Sequence, residues 1–217
     1  MPKTYFLVLS LIIALFFFGC GESKDNGTTN EPDPSSPVQR WEAITQIFHE
    51  GLGAMVETDK ASEKNRYRFR FADTAKDSKI IFEEPVSNLD TIDIRIIKWG
   101  EKKYADVMLS YGAIGEHSYG KGLGGWKRKF LWVELFDGQT GESYFKAEPY
   151  SYSFEEHNIT GDTSHPLAAT SCFFLYKIDW NFDANLMTIS DLLGSCLPDL
   201  EEGRYNFKNN RLVLTKE

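Results

Sequence analysis

Residues 203–215 read GRYNFKNNRLVLT, and this short stretch sets the expectation for the fold. With Asn209-Asn210 at the tip of a two-residue turn, Lys208 faces Arg211, Phe207 faces Leu212 and Tyr205 faces Leu214. Tyr205, Phe207, Leu212 and Leu214 then share one face of a hairpin, while Asn206 and Val213 share the other. Asparagine tolerates the positive φ that such a turn needs. A slip of one residue would send every apolar side chain to the wrong face, so the register is well specified.

The same period of two recurs upstream. Tyr67, Phe69 and Phe71 alternate with Arg66, Arg68 and Arg70, a half-buried strand with a cationic outer face. Ile92, Ile94 and Ile96 alternate with Asp93 and Arg95. Residues 79–82, 104–109, 130–136, 144–147 and 173–180 are further short runs rich in β-branched and aromatic residues. Turn signals stand at Asp137-Gly138 to Gly141 and at Asn181 to Asn185. One segment differs. Trp41, Ile44, Ile47 and Phe48 are spaced as one stripe of a helix, with Ser35, Ser36 and Pro37 ahead of it and Gly51 and Gly53 behind. Residues 38–217 are therefore expected to form one all-β (or β-rich α+β) domain. Its form is an antiparallel β-sandwich or barrel of roughly eight to ten strands with one N-terminal helix.

The chain has 217 residues, which fits one domain of ordinary size. Hydrophobic residues make up 41% and charged residues 26%, so wholesale disorder is excluded. The net charge of −8 argues against a nucleic-acid partner, whose phosphates call for a basic surface. No cofactor motif is present.

The first residues, MPKTYFLVLSLIIALFFFGC, carry one lysine and then an apolar run from Tyr5 to Phe18. A spanning helix needs about twenty such residues, whereas a run of this length matches the core of a signal peptide. Phe17-Phe18-Gly19-Cys20 resembles the lipobox of bacterial lipoproteins, with Gly19 and Cys20 matching and Phe17 and Phe18 departing from the usual leucine and small residue. The resemblance covers residues 1–20. It implies cleavage after Gly19, acylation (palmitate included) of Cys20 and attachment to a bilayer in the cell envelope. Where the cell has two membranes, Gly21 lacks the aspartate that retains such proteins at the inner one, which favours the outer. Residues 20–37 hold three prolines and no large apolar side chain, the composition of a flexible tether. The closing residues 203–215 resemble the last strands of small lipocalin-like domains of bacterial lipoproteins.

Candidate chemistry is sparse. Gly112 to Gly125, GAIGEHSYGKGLGG, lacks the strand-then-helix context and the GK[ST] of a phosphate loop, and reads as a mobile hairpin loop. His117, Tyr119, Lys121 and the bordering Trp126 are its candidate ligand-binding residues. Ser118 lacks the glycine two residues ahead that a nucleophile elbow requires. His49, His117, His157 and His165 form no metal-ligating spacing, and the polar group Glu155, Glu156, His157, Asp162 and His165 reads as a solvated loop rather than a metal site. The pairs Glu83-Glu84, Glu155-Glu156 and Glu201-Glu202 point to opposite faces if on strands, so none is a catalytic pair. Lys127-Arg128-Lys129 is a short basic patch, read as a protected edge. Of the five tryptophans, Trp126 is the one expected at the surface.

With Cys20 lipidated, Cys172 and Cys196 are the two remaining thiols of an exported domain and are expected to pair. A turn at Asp183-Ala184 places residue 195 opposite Cys172 and a turn shifted by one residue places 197 there, so Cys196 lies within about one residue of the facing position and bridges if the return strand drifts at Gly194. A helical turn over Asp191–Gly194 is the competing arrangement there. The functional reading is a membrane-anchored, non-enzymatic binding or interaction domain. Its partner would be an envelope protein, a glycan or a small apolar ligand. The alternative is an envelope hydrolase with dispersed catalytic residues.

Overall fold

The computed structural model describes residues 40–120, 124–157 and 168–215. Cys20, the apolar leader, the proposed tether, Lys121, Asp162 and His165 lie outside them. Among the described residues there are twelve strands and no helix. β1 (Trp41–His49), β2 (Leu52–Asp59), β3 (Asn65–Phe71) and β4 (Lys79–Glu84) form one sheet in chain order. The second sheet, also in chain order, holds β5 (Ser87–Ile97), β6 (Asp106–Gly120), β7 (Gly124–Phe136), β8 (Ser143–His157), β9 (Ala168–Asn181), β10 (Leu186–Gly194), β11 (Gly203–Lys208) and β12 (Arg211–Thr215). Every neighbouring pair is antiparallel. The sheets pack face to face as a sandwich, and the larger one does not close into a barrel, since β5 and β12 remain unpaired edges.

The N-terminal helix is not formed; residues 41–49 are strand. Their three-and-four spacing comes from a β-bulge between Ala43 and Thr45, where Ile44 is inserted as an extra residue. The bulge shifts the alternation by one. Trp41 pairs with Asp59 on the solvent side of the sheet, whereas Thr45 and Ile47 pair with the buried Val56 and Ala54. The glycines expected to stop a helix serve the hairpin instead. Glu50 and Gly51, at φ 48° and 81°, form its turn. Gly53 seats the Phe48 ring, which a Cβ would approach to 2.5 Å.

The arginine face of β3 is real but not free. Glu57 holds Arg68 Nε at 2.6 Å and Arg70 Nε at 3.0 Å, Asp59 holds Arg40 at 2.8 Å, and Glu83 holds Arg66 Nε at 2.9 Å. Arg68 also lies 4.1 Å from the Trp41 ring. Alternate residues of β2 thus neutralise the cations that alternate residues of β3 present.

β6 feeds two cores. Val107, Leu109, Tyr111 and Ala113 face the smaller sheet and join Ala54, Val56, Phe69, Phe71, Phe82 and Phe136. Met108, on the opposite face, joins Val133 and Leu135 of β7 with Trp99, Phe207 and partly buried Leu212. In a flat sheet β11 would stand about 19 Å from β7, four strand spacings away. Phe207 nonetheless shares one core with Val133 and Leu135 of β7, so the sheet bends. β8 and β9 pair only over Tyr150–His157 and Ala168–Leu175, and below that they diverge, which permits the bend.

Two further expectations change. Residues 112–120 and 124–125 are strand, not loop. Glycine is needed at Gly112, Gly115 and Gly125 because a Cβ would come within 2.4 Å of neighbouring atoms on adjacent strands. The return strand after the Asn181–Asn185 turn starts in the expected register, with Trp180 opposite Met187. A bulge between Ser190 and Leu193, with Asp191 at φ 59°, then adds one residue, so Gly194 faces Phe174. That one-residue shift carries Cys196 opposite Cys172, and the two lie at disulfide distance with Cα atoms 5.7 Å apart. No helical turn replaces the strand. The C-terminal hairpin has the register read from its sequence, with Asn209 and Asn210 at φ 51° and 57°.

The ends of the strands are pinned by a buried ion network. Lys102 Nζ donates to Asp106 Oδ1 and Oδ2 at 2.7 and 2.8 Å and to Asp137 Oδ2 at 2.8 Å. Asp106 also accepts from Gly138 N–H and the Tyr144 hydroxyl, and Asp137 accepts from the N–H groups of Gln139 and Thr140. Burial alone would lower the Lys102 pKa, but its hydrogen bonds with Asp106 and Asp137 outweigh this and raise it, so the ammonium is kept. Replacing Lys102 with methionine should therefore cost about 3–5 kcal/mol, because two buried carboxylates lose their counter-ion. Urea denaturation of the two proteins measures this. A loss below about 1 kcal/mol would show the network to be dispensable.

Candidate functional site

β6 to β9 are the longest strands, of 15, 13, 15 and 14 residues. The ends of β6 and β7 beyond Ala113 and Phe130 continue past the two cores that β6 feeds, and Glu116–Gly120 is exposed on both faces. Alternation gives this ribbon two different faces.

On the inner face, which the smaller sheet covers farther down, the structure brings three expected residues together. His117 pairs with Trp126 across the strands, with ring centroids 6.1 Å apart, and lies 5.7 Å from Tyr119. The Tyr119 hydroxyl donates to Glu155 Oε1 at 2.6 Å. Arg128 stacks over Trp126 at 4.8 Å. Trp126 is half-buried rather than free. The hydrogen bond of Tyr119 to Glu155 raises the pKa of its hydroxyl, with desolvation adding to it.

The outer face is apolar. Pairing sets Ile114, Lys129, Tyr152 and Phe173 in one row, Leu131, Tyr150, Leu175 and Leu193 in the next, and Glu116, Lys127 and Phe154 in a third. Ile114, Phe173, Leu175 and Leu193 are 52, 44, 45 and 62% exposed. Two adjoining hollows cross this face. One, of about 330 Å³, is lined by Ile114, Lys129, Tyr150 and Tyr152 among others. The second, of about 410 Å³, reaches the end of the ribbon and is lined by Ser118, Phe154 and Glu156 of this face together with His117 and Trp126 of the inner one. Glu116 and Lys127, an ion pair at 3.1 Å, border both.

The basic run 127–129 is therefore no single patch. Lys127 and Lys129 point to the outer face and Arg128 to the inner, and all three lie on an interior strand, not an edge. Ser118 serves its own strand end, accepting the Gly120 N–H at 3.3 Å. Among the described residues no three His, Cys, Asp or Glu side chains are grouped to hold a metal.

The sequence reading missed two polar sites. Glu134 is buried between the sheets, where Lys79 and Ser143 both donate to its Oε1. Its position was legible: it alternates in phase with Phe130, Trp132 and Phe136, so period two already placed an acid on the buried face. The other is a crevice of about 270 Å³ where β8 and β9 part, beneath residues 197–200. Lys146, Glu148, Asp199 and Tyr176 line it with Trp132 and Phe174. Nothing local in the sequence marks it, because its walls come from four distant segments.

Comparison with protein-family models, curated proteins and solved structures returned no match.

Burial raises the pKa of Glu148, a hydrogen bond from Ser151 and the charge of Lys146 oppose the shift, and Asp199 adds to it. The folded state thus binds the proton more tightly than the unfolded state. Stability should fall as pH rises from the ordinary carboxyl value of 4.5 through the raised one. Glu148→Gln removes that dependence. Denaturant melts at several pH values should show the variant gaining on the wild type as pH rises; a constant difference would contradict the assignment.

Proposed function

We propose that the protein is a membrane-anchored envelope lipoprotein whose β domain is a non-enzymatic binding module, held to the bilayer through acylated Cys20. The observation that carries the binding reading is the apolar outer face of β6–β10. Ile114, Phe173, Leu175 and Leu193 are open to solvent there around the half-buried Tyr152, although well-packed cores lie a few residues away. Contiguous apolar surface on a soluble domain marks an interaction site, whereas scattered exposed side chains do not. The two hollows give it relief, and Lys129 and the Glu116–Lys127 pair supply orienting polar groups. The lipid attachment rests on the leader ending at Gly19-Cys20. Two acyl chains would hold such a body stably, at about 0.8 kcal/mol per buried methylene.

A second reading, an envelope hydrolase, draws on the crevice below. There Glu148 keeps its proton above the usual range beside a second carboxylate, Asp199. That pairing is the raw material of acid–base chemistry.

Two measurements test the principal reading. Cys20→Ser should move the protein from the membrane to the soluble fraction; persistence with the membrane, together with no uptake of labelled fatty acid by the wild type, would refute the anchor. Residues 38–217, which contain every described strand and all three core clusters, should enhance the emission of anilinonaphthalene sulfonate. The double change Tyr152→Ser, Phe173→Ser should abolish most of that signal at an unchanged Tm. Emission indifferent to these changes would refute the face as the binding site.

A further inference from the structure

The outer face of β6–β10 also constrains what can occupy it. β7 and β8, which carry Lys127, Lys129, Tyr150, Tyr152 and Phe154, are paired on both sides along this face, so their backbone N–H and C=O groups are engaged. No peptide can add as an extra strand over β7 and β8, so an occupant of the aromatic centre of the face is held by side chains. The face spans five strands and about four residues, roughly 19 by 14 Å. Its plan area of about 270 Å² is far below the roughly 800 Å² per partner of a stable protein interface. A second copy docking here alone would be too weakly held.

Charged groups sit inside the aromatic field. Lys129 lies 5.8 Å from the Tyr150 ring and has no ion pair among the described residues. Glu116 and Lys127 pair across the boundary of the two hollows, and Glu156 lines the outer one. A bilayer or an apolar protein patch would strip water from all four without replacing its hydrogen bonds, a costly arrangement. A ligand with apolar ring faces and a rim of hydroxyls meets both demands. The aromatic side chains are also ordered as a track: Tyr150, Tyr152 and Phe154 follow one another on β8 at intervals of about 7 Å, flanked by Phe173 on β9. Half-buried rings of this kind offer rigid flat surfaces with polar tips.

We propose that this face binds an extended glycan, with sugar rings stacked along Tyr150, Tyr152 and Phe154 and hydroxyls bonded to Lys129, Glu116 and Glu156. The identification of the ligand class rests on the binding reading above. Titration calorimetry of the full-length chain in detergent micelles against cellohexaose, chitohexaose and hexagalacturonate tests it. Saturable binding of at least one is expected. Tyr152→Ala and, separately, Phe173→Ala should weaken it at least about tenfold, a change of about 1.4 kcal/mol. Val213→Ala, on the remote edge strand β12, should leave it unchanged. No binding of any of the three, or binding indifferent to Tyr152 and Phe173, overturns the glycan. A concentration-dependent dimer dissolved by Tyr152→Ala would assign the face to self-association and also overturn it. If the sugars fail while the dye signal still depends on Tyr152 and Phe173, the ligand class alone falls; if the dye signal fails as well, the binding face falls with it.

Discussion

The ammonium of Lys102 lies between the carboxylates of Asp106 and Asp137, and the geometry at one end of the larger sheet follows from that contact. Lys102 belongs to the connector between β5 and β6, Asp106 opens β6, and Asp137 closes β7. One cation thus fixes the ends of three consecutive strands. The aromatic rings of Tyr104, Tyr144 and Phe207 stand 4.7, 5.2 and 5.6 Å from it, and the Tyr144 hydroxyl bridges from Asp106 to Trp99 Nε1. Buried charges are tolerable only when each is paired and hydrogen-bonded, and here they are. Trp99, stacked on Phe207 at 4.6 Å, joins the network to the second core.

Fixing one end of long strands leaves the other end to project. β6 and β7 are buried on both faces near the network, by the smaller sheet on one side and by the bent-back β11 and β12 on the other. Neither cover reaches the far ends of β6–β9. The exposed apolar rows there continue strand patterns that are fully buried lower down, from Leu131 onward beyond Val133. The candidate site is therefore not a pocket cut into the core. It is the part of a core-forming sheet that the fold leaves uncovered.

The charged surfaces behave in the opposite way. The arginines of β3, conspicuous in the sequence, are neutralised by Glu57, Asp59 and Glu83 and carry no free cationic face. The run Lys127-Arg128-Lys129 is divided between two faces by the pleat of a single strand. Neither makes a patch for a polyanion. Lys129 and Glu156 line the hollows of the apolar face, and Glu148 and Asp199 line the crevice.

The sequence by itself determined that the domain is built from antiparallel strands. It also determined the register of the last hairpin, because side chains alternate with period two and the Asn209-Asn210 turn admits one pairing. The return strand was legible to within one residue, and only its bulge at Asp191 decided that Cys196 meets Cys172. A bulge likewise disguised β1 as a helix, since one extra residue turns a two-residue period into a spacing of three and four. His117, Tyr119 and Trp126 were within reach because they share a hairpin. Lys102, the crevice at Glu148 and the open face of Tyr152 and Phe173 were not. Burial of a lysine depends on residues that meet it in space, 35 positions away in the case of Asp137. Alternation tells which side chains share a face of a strand. Which of those faces another sheet will cover is decided only when the whole chain packs.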